Sequence, residues 1–229
     1  MLKPQKKVSR KEIKEDKLVT AYFESRRWLE ENKRLAGYII AAPIVIALLW
    51  FWWHQKTNEW NDTATALLAK VAPYYDSGKY EMAIDGIPQE GTQGLLAIVS
   101  EHGSTSAGQV AKLYLANSYY ALKNYDKALE YYDDVSVSDK MVASAALAGV
   151  ASCYEAKGDF EKAASYFEKA ASKNMTAVQA PENLQRAAVN YAAIGKKEKA
   201  VELLKTLKKE FPTTAIARDA DRYIAEFSS

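Results

Sequence analysis

The sequence predicts an all-α protein, and three observations support this prediction. First, the segment before residue 35 carries apolar residues at helical spacing. Second, residues 35–53 form a run of nineteen residues without a charge. Third, the stretch NYDKALEYYDDV at residues 124–135 returns as GDFEKAASYFEKA at residues 158–170, thirty-five residues further along. A repeat of this length with helical apolar spacing is typical of arrays of helix–turn–helix units.

Charge is unevenly distributed along the 229 residues. Residues 1–34 contain eleven Lys/Arg and six Asp/Glu, whereas the part after residue 53 contains twenty Lys/Arg and twenty-three Asp/Glu. Binding to nucleic acid requires a basic face. The mildly acidic main body therefore argues against a nucleic-acid partner.

The sequence contains no recognisable catalytic or metal-binding motif. Cys153 is the only cysteine, and the two histidines, His54 and His102, are far apart. There is no Walker loop, G-x-S-x-G or H-E-x-x-H motif. We therefore expect neither an enzyme nor a bound metal or cofactor.

The basic N-terminal segment, residues 1–34, is expected to contain an amphipathic helix. Its apolar residues share one side of a helix and are Leu18, Val19, Tyr22, Phe23 and Leu29. Such a helix could lie in the membrane interface or pack against another protein, and the sequence leaves both interpretations open.

Residues 35–53 are predicted to span a membrane. At about 1.5 Å per residue, nineteen helical residues just cross a hydrocarbon core of about 30 Å. Trp50, Trp52 and Trp53 cluster at one end, as in interfacial aromatic belts. A buried core helix and a cleaved signal peptide fit the segment less well, because the preceding basic segment is long for a signal peptide.

The basic residues around the span predict its orientation. Eleven Lys/Arg precede the span, and within about twenty positions after it only Lys56 and Lys70 are basic. The positive-inside rule then places the N-terminus in the cytoplasm and the C-terminal domain outside. In a bacterium, the C-terminal domain would lie in the periplasm.

Three copies of the repeat, at residues 109–212, have small and large apolar residues at matching positions. The small residues are Ala116, Ala151 and Ala188 in the first helix of each copy and Ala128, Ala163 and Ala200 in the second. The large residues are Tyr119, Tyr154 and Tyr191, followed by Tyr132, Phe167 and Leu204. Small residues allow two helices to approach closely, and large residues fill the remaining space. This pattern resembles the tetratricopeptide repeat (TPR) family.

The segments on either side of these copies are predicted to complete an α-solenoid of about 3.5–4 helix pairs. Residues 54–108 resemble a degenerate first repeat with an insertion at residues 85–94, which contains three glycines and a proline. Residues 213–229 match the start of a further repeat. We expect them to form a capping helix, because the last repeat would otherwise expose its apolar face.

The resemblance to the TPR family also implies a binding groove on the first helices of the repeats. Transferred to this sequence, the groove positions include Leu113, Asn117, Tyr120, Ser152, Glu155 and Gln185. An aromatic residue such as Tyr120 supplies contact area with a polar tip, as in binding hot spots.

The full layout resembles bacterial single-pass TPR proteins of the inner membrane, among them the family of the ancillary Sec-translocon subunit. That resemblance implies a membrane-anchored scaffold that binds translocon components or exported chains and assists translocation or envelope assembly. The alternative is a structural accessory subunit of a larger membrane complex. In that case residues 35–53 would supply the main interface.

Overall fold

The computed structural model describes the backbone of residues 10–176 and 178–228, together with their side chains except those of residues 10–18, 36 and 40. The described part is almost entirely helical, as the sequence predicts. It divides into two compact units, Met1–Lys56 and Thr57–Ser229.

The N-terminal helix α1, Arg10–Glu31, leaves its described apolar side chains exposed. The exposed residues are Val19, Tyr22, Phe23, Trp28 and Leu29. On the same side, Arg26 lies one turn after Tyr22 and pairs with Glu30 at 3.2 Å. The predicted apolar stripe is therefore interrupted by an ion pair, and the side chain of Leu18 lies outside the described residues.

Helix α2, Lys33–Asp76, begins after the single residue Asn32. It is long and apolar enough over its N-terminal part to cross a membrane, a property that a signal sequence shares. Every side chain of residues 41–53 is exposed in the chain. The same helix continues without a break to Asp76. The predicted span and the first helix of the repeat array, which were expected to be separate elements, are therefore one helix.

The second unit is an array of antiparallel helix pairs. From α3 onward each helix packs against the next, and the helices after α2 are α3 Tyr80–Asp85, α4 Leu95–His102, α5 Ser106–Ala121, α6 Tyr125–Asp133, α7 Lys140–Ala156, α8 Phe160–Lys173, α9 Ala180–Ala193, α10 Lys197–Glu210 and α11 Ala215–Ser228.

The small residues predicted to lie at the helix crossings are all buried. Ala116, Ala151 and Ala188 are 0% exposed, as are their counterparts Ala128 and Ala163. Large side chains fill the space between helices, namely Tyr132, Phe167 and Leu204. The predicted packing of the array is thus confirmed.

The segment predicted as an insertion contains an antiparallel hairpin. Strand β1, Gly86–Ile87, pairs with β2, Thr92–Gln93, across a 3₁₀ turn at Pro88–Glu90. The strands approach so closely that a Cβ on Gly86 would lie 2.4 Å from the backbone nitrogen of Gly94. The hairpin is also tied to α2, because the Tyr74 hydroxyl donates a hydrogen bond to Glu90.

The turns between paired helices share a residue with positive φ. Gly78, Gly158 and Gly195 have φ values of 75°, 79° and 78°, and Lys123 has 61° in the corresponding turn. Glycine adopts this conformation without steric cost, whereas a lysine side chain is strained there.

Candidate protein-binding groove

The six residues predicted for the groove lie on the first helices of three consecutive repeats. Helix α5 carries Leu113, Asn117 and Tyr120, helix α7 carries Ser152 and Glu155, and helix α9 carries Gln185. All six are half-buried. Helix α5 packs directly against α7, so the first two groups are neighbours in the array.

Asn117 connects the first repeat, which ends with α3 and α4, to the second, which consists of α5 and α6. Its side-chain nitrogen donates to the Tyr75 hydroxyl at 3.0 Å, and its side-chain oxygen accepts a hydrogen bond from the Tyr132 hydroxyl at 2.6 Å. Burial raises the pKa of Tyr75 and of Tyr132, so both hydroxyls stay protonated. Asn117 therefore holds internal partners on both atoms of its amide.

Glu155 is neutralised by residues of the next repeat. Its carboxylate accepts hydrogen bonds from Arg186 and, at 2.5 Å, from the Asn190 side chain. The Arg186 guanidinium also lies 4.1 Å from the centre of the Phe167 ring. Because Arg186 already pairs with Glu155, its positive charge is compensated within the array.

Tyr120 lies near this charge pair and contacts Tyr125, with ring centres 5.5 Å apart and planes at 54°. Burial raises the pKa of Tyr120, against an opposing effect of Arg186. The hydroxyl is therefore protonated and can donate a hydrogen bond at neutral pH.

The other predicted residues have mainly local roles. Leu113 packs against a hydrophobic core that includes Val71, Leu95 and Leu115. The Ser152 hydroxyl donates to the carbonyl oxygen of Ala148, in the preceding turn of its own helix, at 2.9 Å. Gln185 is half-buried on α9. The structure thus joins Asn117 and Glu155 into internal hydrogen-bond networks and does not extend either network to Leu113, Ser152 or Gln185.

Three tyrosines outside the predicted set, Tyr75, Tyr80 and Tyr125, form ring contacts at corresponding places in two repeats. Tyr75 occupies in α2 the position that Tyr120 occupies in α5, and its ring lies 5.9 Å from that of Tyr80. Tyr125 is the first residue of α6, as Tyr80 is of α3. The repeat alignment contains their signal, because Tyr75 follows Tyr74 as Tyr120 follows Tyr119, and Tyr80 and Tyr125 share the first position of the next helix.

The remaining reactive groups do not suggest catalysis. Cys153 is fully buried, and burial raises the pKa of its thiol to about 12. Among the residues that the structure describes, no group of three or more His, Cys, Asp or Glu side chains could hold a metal ion.

Three segments of the array match family models of the tetratricopeptide repeat. They are residues 146–178, residues 110–136 and residues 182–214. These repeats form scaffolds for protein–protein interaction. In these three segments the array is accordingly similar to tetratricopeptide repeats.

Two solved structures of TPR-like repeats from a putative kinesin light chain of Podosopora anserina have a similar fold. Each aligns with a TM-score of 0.54 over 71% of this chain and 83% of the other. The sequence identities are 16% and 17%, so the similarity concerns the fold alone. Among curated proteins, none matches the sequence.

Proposed function

We propose that this protein is a membrane-anchored scaffold that binds other proteins through the groove formed by α5, α7 and α9. The observation that carries this proposal is the array of TPR-like repeats, whose six predicted groove residues are half-buried and in which Glu155 is neutralised by Arg186. Such a surface suits contacts through shape, aromatic area and neutral hydrogen bonds.

The membrane anchor in this proposal is the N-terminal part of α2. Residues 41–53 are apolar and exposed in the chain, so a lipid environment would remove a large apolar surface from water. With the basic segment in the cytoplasm, the array lies on the extracytoplasmic face, which in a bacterial inner membrane is the periplasmic side. There the scaffold would serve translocation or envelope assembly.

The orientation is tested with right-side-out membrane vesicles. Added protease should digest the TPR array while the basic N-terminal segment remains protected. Protection of the array would contradict the proposed orientation.

A second candidate function is that of a structural accessory subunit in a larger membrane complex. The exposed apolar surface of both α1 and α2 favours this candidate, since a neighbouring membrane subunit could cover it as well as lipid. In that case the array would only brace the complex.

Photo-crosslinking distinguishes the two functions. A photoreactive amino acid is placed at position 120 in the groove, and a matched probe replaces Ile44, which is 55% exposed in the span. Capture of translocon subunits or exported chains at position 120 supports the scaffold. Capture only at position 44, by subunits of one stable complex, supports the accessory subunit.

A further inference from the structure

Helix α1 has an exposed apolar side, which we name the α1 face: Val19, Tyr22, Phe23 and Leu29. These side chains are 44–61% exposed, and at 100° per residue they share about one third of the helix circumference. The rings of Tyr22 and Phe23 meet edge to face, with centres 5.6 Å apart. Contiguous exposed apolar side chains of this kind mark sites of contact with a membrane or with another protein.

One ion pair lies within the α1 face. Arg26 Nε lies 3.2 Å from Glu30 Oε1, and the two side chains are 62% and 63% exposed. The two charges compensate each other, so the pair adds no net charge to the face. Long charged side chains can extend to the lipid headgroups while their apolar neighbours lie deeper. The α1 face therefore suits the boundary between headgroups and acyl chains, where polar and apolar surroundings meet.

The C-terminal end of α1 lies next to the proposed membrane span. Helix α1 ends at Glu31, and both the backbone N–H and the side-chain nitrogen of Asn32 donate to the Trp28 carbonyl oxygen, at 2.9 and 3.1 Å. Only residues 32–34 separate α1 from the uncharged run that begins at Leu35. Even a fully extended chain would cover at most about 14 Å from Glu31 to Leu35. With residues 35–53 in the bilayer, lipid is therefore within reach of the α1 face in every copy of the chain.

The charge of the N-terminal segment indicates which lipids the α1 face would meet. Residues 1–34 contain eleven Lys/Arg and six Asp/Glu, and seven of the eleven basic residues lie at or before Lys17. Basic segments beside a membrane span are attracted to the anionic lipids of the cytoplasmic leaflet. A protein partner would have to supply its own acidic surface, whereas phospholipid phosphates are already present where α1 meets the membrane.

We propose that α1 binds the surface of an anionic phospholipid leaflet, with the α1 face at the level of the upper acyl chains and the basic residues of the segment on lipid phosphates. Helical structure is interrupted at Asn32, and there α1 turns to lie along the membrane. This contact adds a second, charge-dependent attachment to the one that the span provides. The inference rests on the proposed function, because it requires that residues 35–53 cross the membrane.

The test uses the full chain reconstituted into lipid vesicles. Cys153→Ala removes the only native cysteine, and Tyr22→Cys then carries the environment-sensitive fluorophore NBD. One set of vesicles contains phosphatidylcholine and phosphatidylglycerol, and the other contains phosphatidylcholine alone. A phosphatidylcholine with a nitroxide close to its headgroup is included in both sets, and it quenches the label only on contact with lipid.

The matched control is Glu24→Cys, labelled in the same way. Glu24 lies two residues further along α1, is exposed, and points away from the α1 face. In vesicles with phosphatidylglycerol, we expect the nitroxide lipid to quench the label at position 22 about threefold or more as strongly as the label at position 24. In phosphatidylcholine alone, this difference should be smaller. Leu29→Cys places the label elsewhere on the α1 face and keeps the test valid if the change at Tyr22 disturbs the helix.

The inference would be overturned by equal quenching at positions 22 and 24 in the anionic vesicles. Equal quenching at position 22 in the two lipid mixtures would overturn the role of anionic lipid. An NBD emission shifted to shorter wavelength without nitroxide quenching would show that protein, and not lipid, covers the α1 face.

Carbonate extraction of the same vesicles separates such a failure from failure of the proposed function. If the chain stays in the membrane while the label at position 22 is not quenched, the span holds and only the lipid contact of α1 is wrong. If carbonate releases the chain, the proposed membrane anchor fails as well.

Discussion

The second helix of the first repeat is interrupted, whereas that of the third repeat, which consists of α7 and α8, is continuous. In the third repeat this helix is α8, an unbroken run of fourteen residues. In the first repeat it is divided into α3, with six residues, and α4, with eight, and the hairpin lies between them. Buried side chains continue on both sides of the break, with Ala83 and Ile84 before it and Leu95 and Ile98 after it. The insertion thus adds a hairpin to the repeat while leaving its packing surface in place.

The largest expected effect concerns the glycine that closes this hairpin. In Gly94→Ala, the new Cβ would lie 2.3 Å from the carbonyl oxygen of Ile84 and 2.4 Å from the carbonyl carbon of Asp85. Backbone atoms cannot move aside as a side chain can, so we expect a loss of about 3 kcal/mol or more in the free energy of unfolding. Urea unfolding of the detergent-solubilised chain, followed by circular dichroism, measures this loss.

The matched variant in the third repeat is Gly158→Ala. No atom lies within 4 Å of the added Cβ there, and only the positive φ of 79° opposes the substitution. We expect a loss of about 1 kcal/mol. Equal losses of unfolding free energy at the two glycines would show that the hairpin backbone shifts readily to accommodate the added Cβ. The close packing of the hairpin would then not stabilise the first repeat.

A smaller effect is expected where the first repeat joins the second. Asn117→Ala removes the hydrogen-bond partner of both Tyr75 and Tyr132. Since the Tyr132 hydroxyl is largely buried, we expect a loss of about 1–3 kcal/mol in the free energy of unfolding. Ser152→Ala is the control, because its hydroxyl bonds only within its own helix, and it should change stability by less than about 0.5 kcal/mol. Similar urea midpoints for the two variants would contradict the bridging role of Asn117.

The period of the repeat predicts contacts within and between neighbouring helices, and this is why the burial of Ala128, Ala163 and Ala200 could be anticipated. It carries no information on which polar side chains meet across repeats. Asn117 and Glu155 were predicted as groove residues, yet each bonds to side chains on another repeat, Asn117 to Tyr75 and Glu155 to Arg186. The hairpin could not be predicted either. Glycines indicate that a helix is interrupted, but they do not show which backbone segment will pack against them.

The first repeat also differs from the second and third in the residue that caps its second helix. Asn124 and Asp159 each accept a hydrogen bond from a backbone N–H of the following helix, whereas Lys79 makes no side-chain cap. Lys79→Asn should therefore stabilise the chain by about 0.5–1 kcal/mol, measured by the same urea unfolding. A Lys79→Gln variant, which removes the charge without providing a cap, should gain less. Equal gains in stability for the two variants would show that removal of the lysine charge, and not the new cap, is the cause.

The turn of the second repeat can be made more like that of the third by Lys123→Gly. Glycine removes the strain of φ 61° but increases the conformational entropy of the unfolded chain, and these two effects partly cancel. We expect a net gain of about 0.5 kcal/mol in the free energy of unfolding. Lys123→Ala retains the strain and is the control. A gain as large for alanine as for glycine would show that the lysine side chain, rather than the backbone conformation, is the cause.

The smallest expected effect is the pH dependence of the cap in the third repeat. The Lys162 ammonium, 2.9 Å away, and the backbone N–H of Lys162 lower the pKa of Asp159 below its ordinary value, and Asp159 raises the pKa of Lys162. A lowered carboxyl pKa stabilises the fold above about pH 4, and that contribution is lost as the pH falls through the pKa of the folded state. A raised lysine pKa stabilises the fold below about pH 10, and its contribution is lost at higher pH. Asp159→Asn keeps a capping oxygen but lacks the charge, so its melting temperature should fall furthest below that of the unmodified chain between these limits. Above about pH 10 part of the difference should remain, because the carboxylate still accepts the backbone N–H of Lys162. A difference that persists unchanged at pH 2.5 would show that the amide is a poorer cap and that the ion pair contributes nothing.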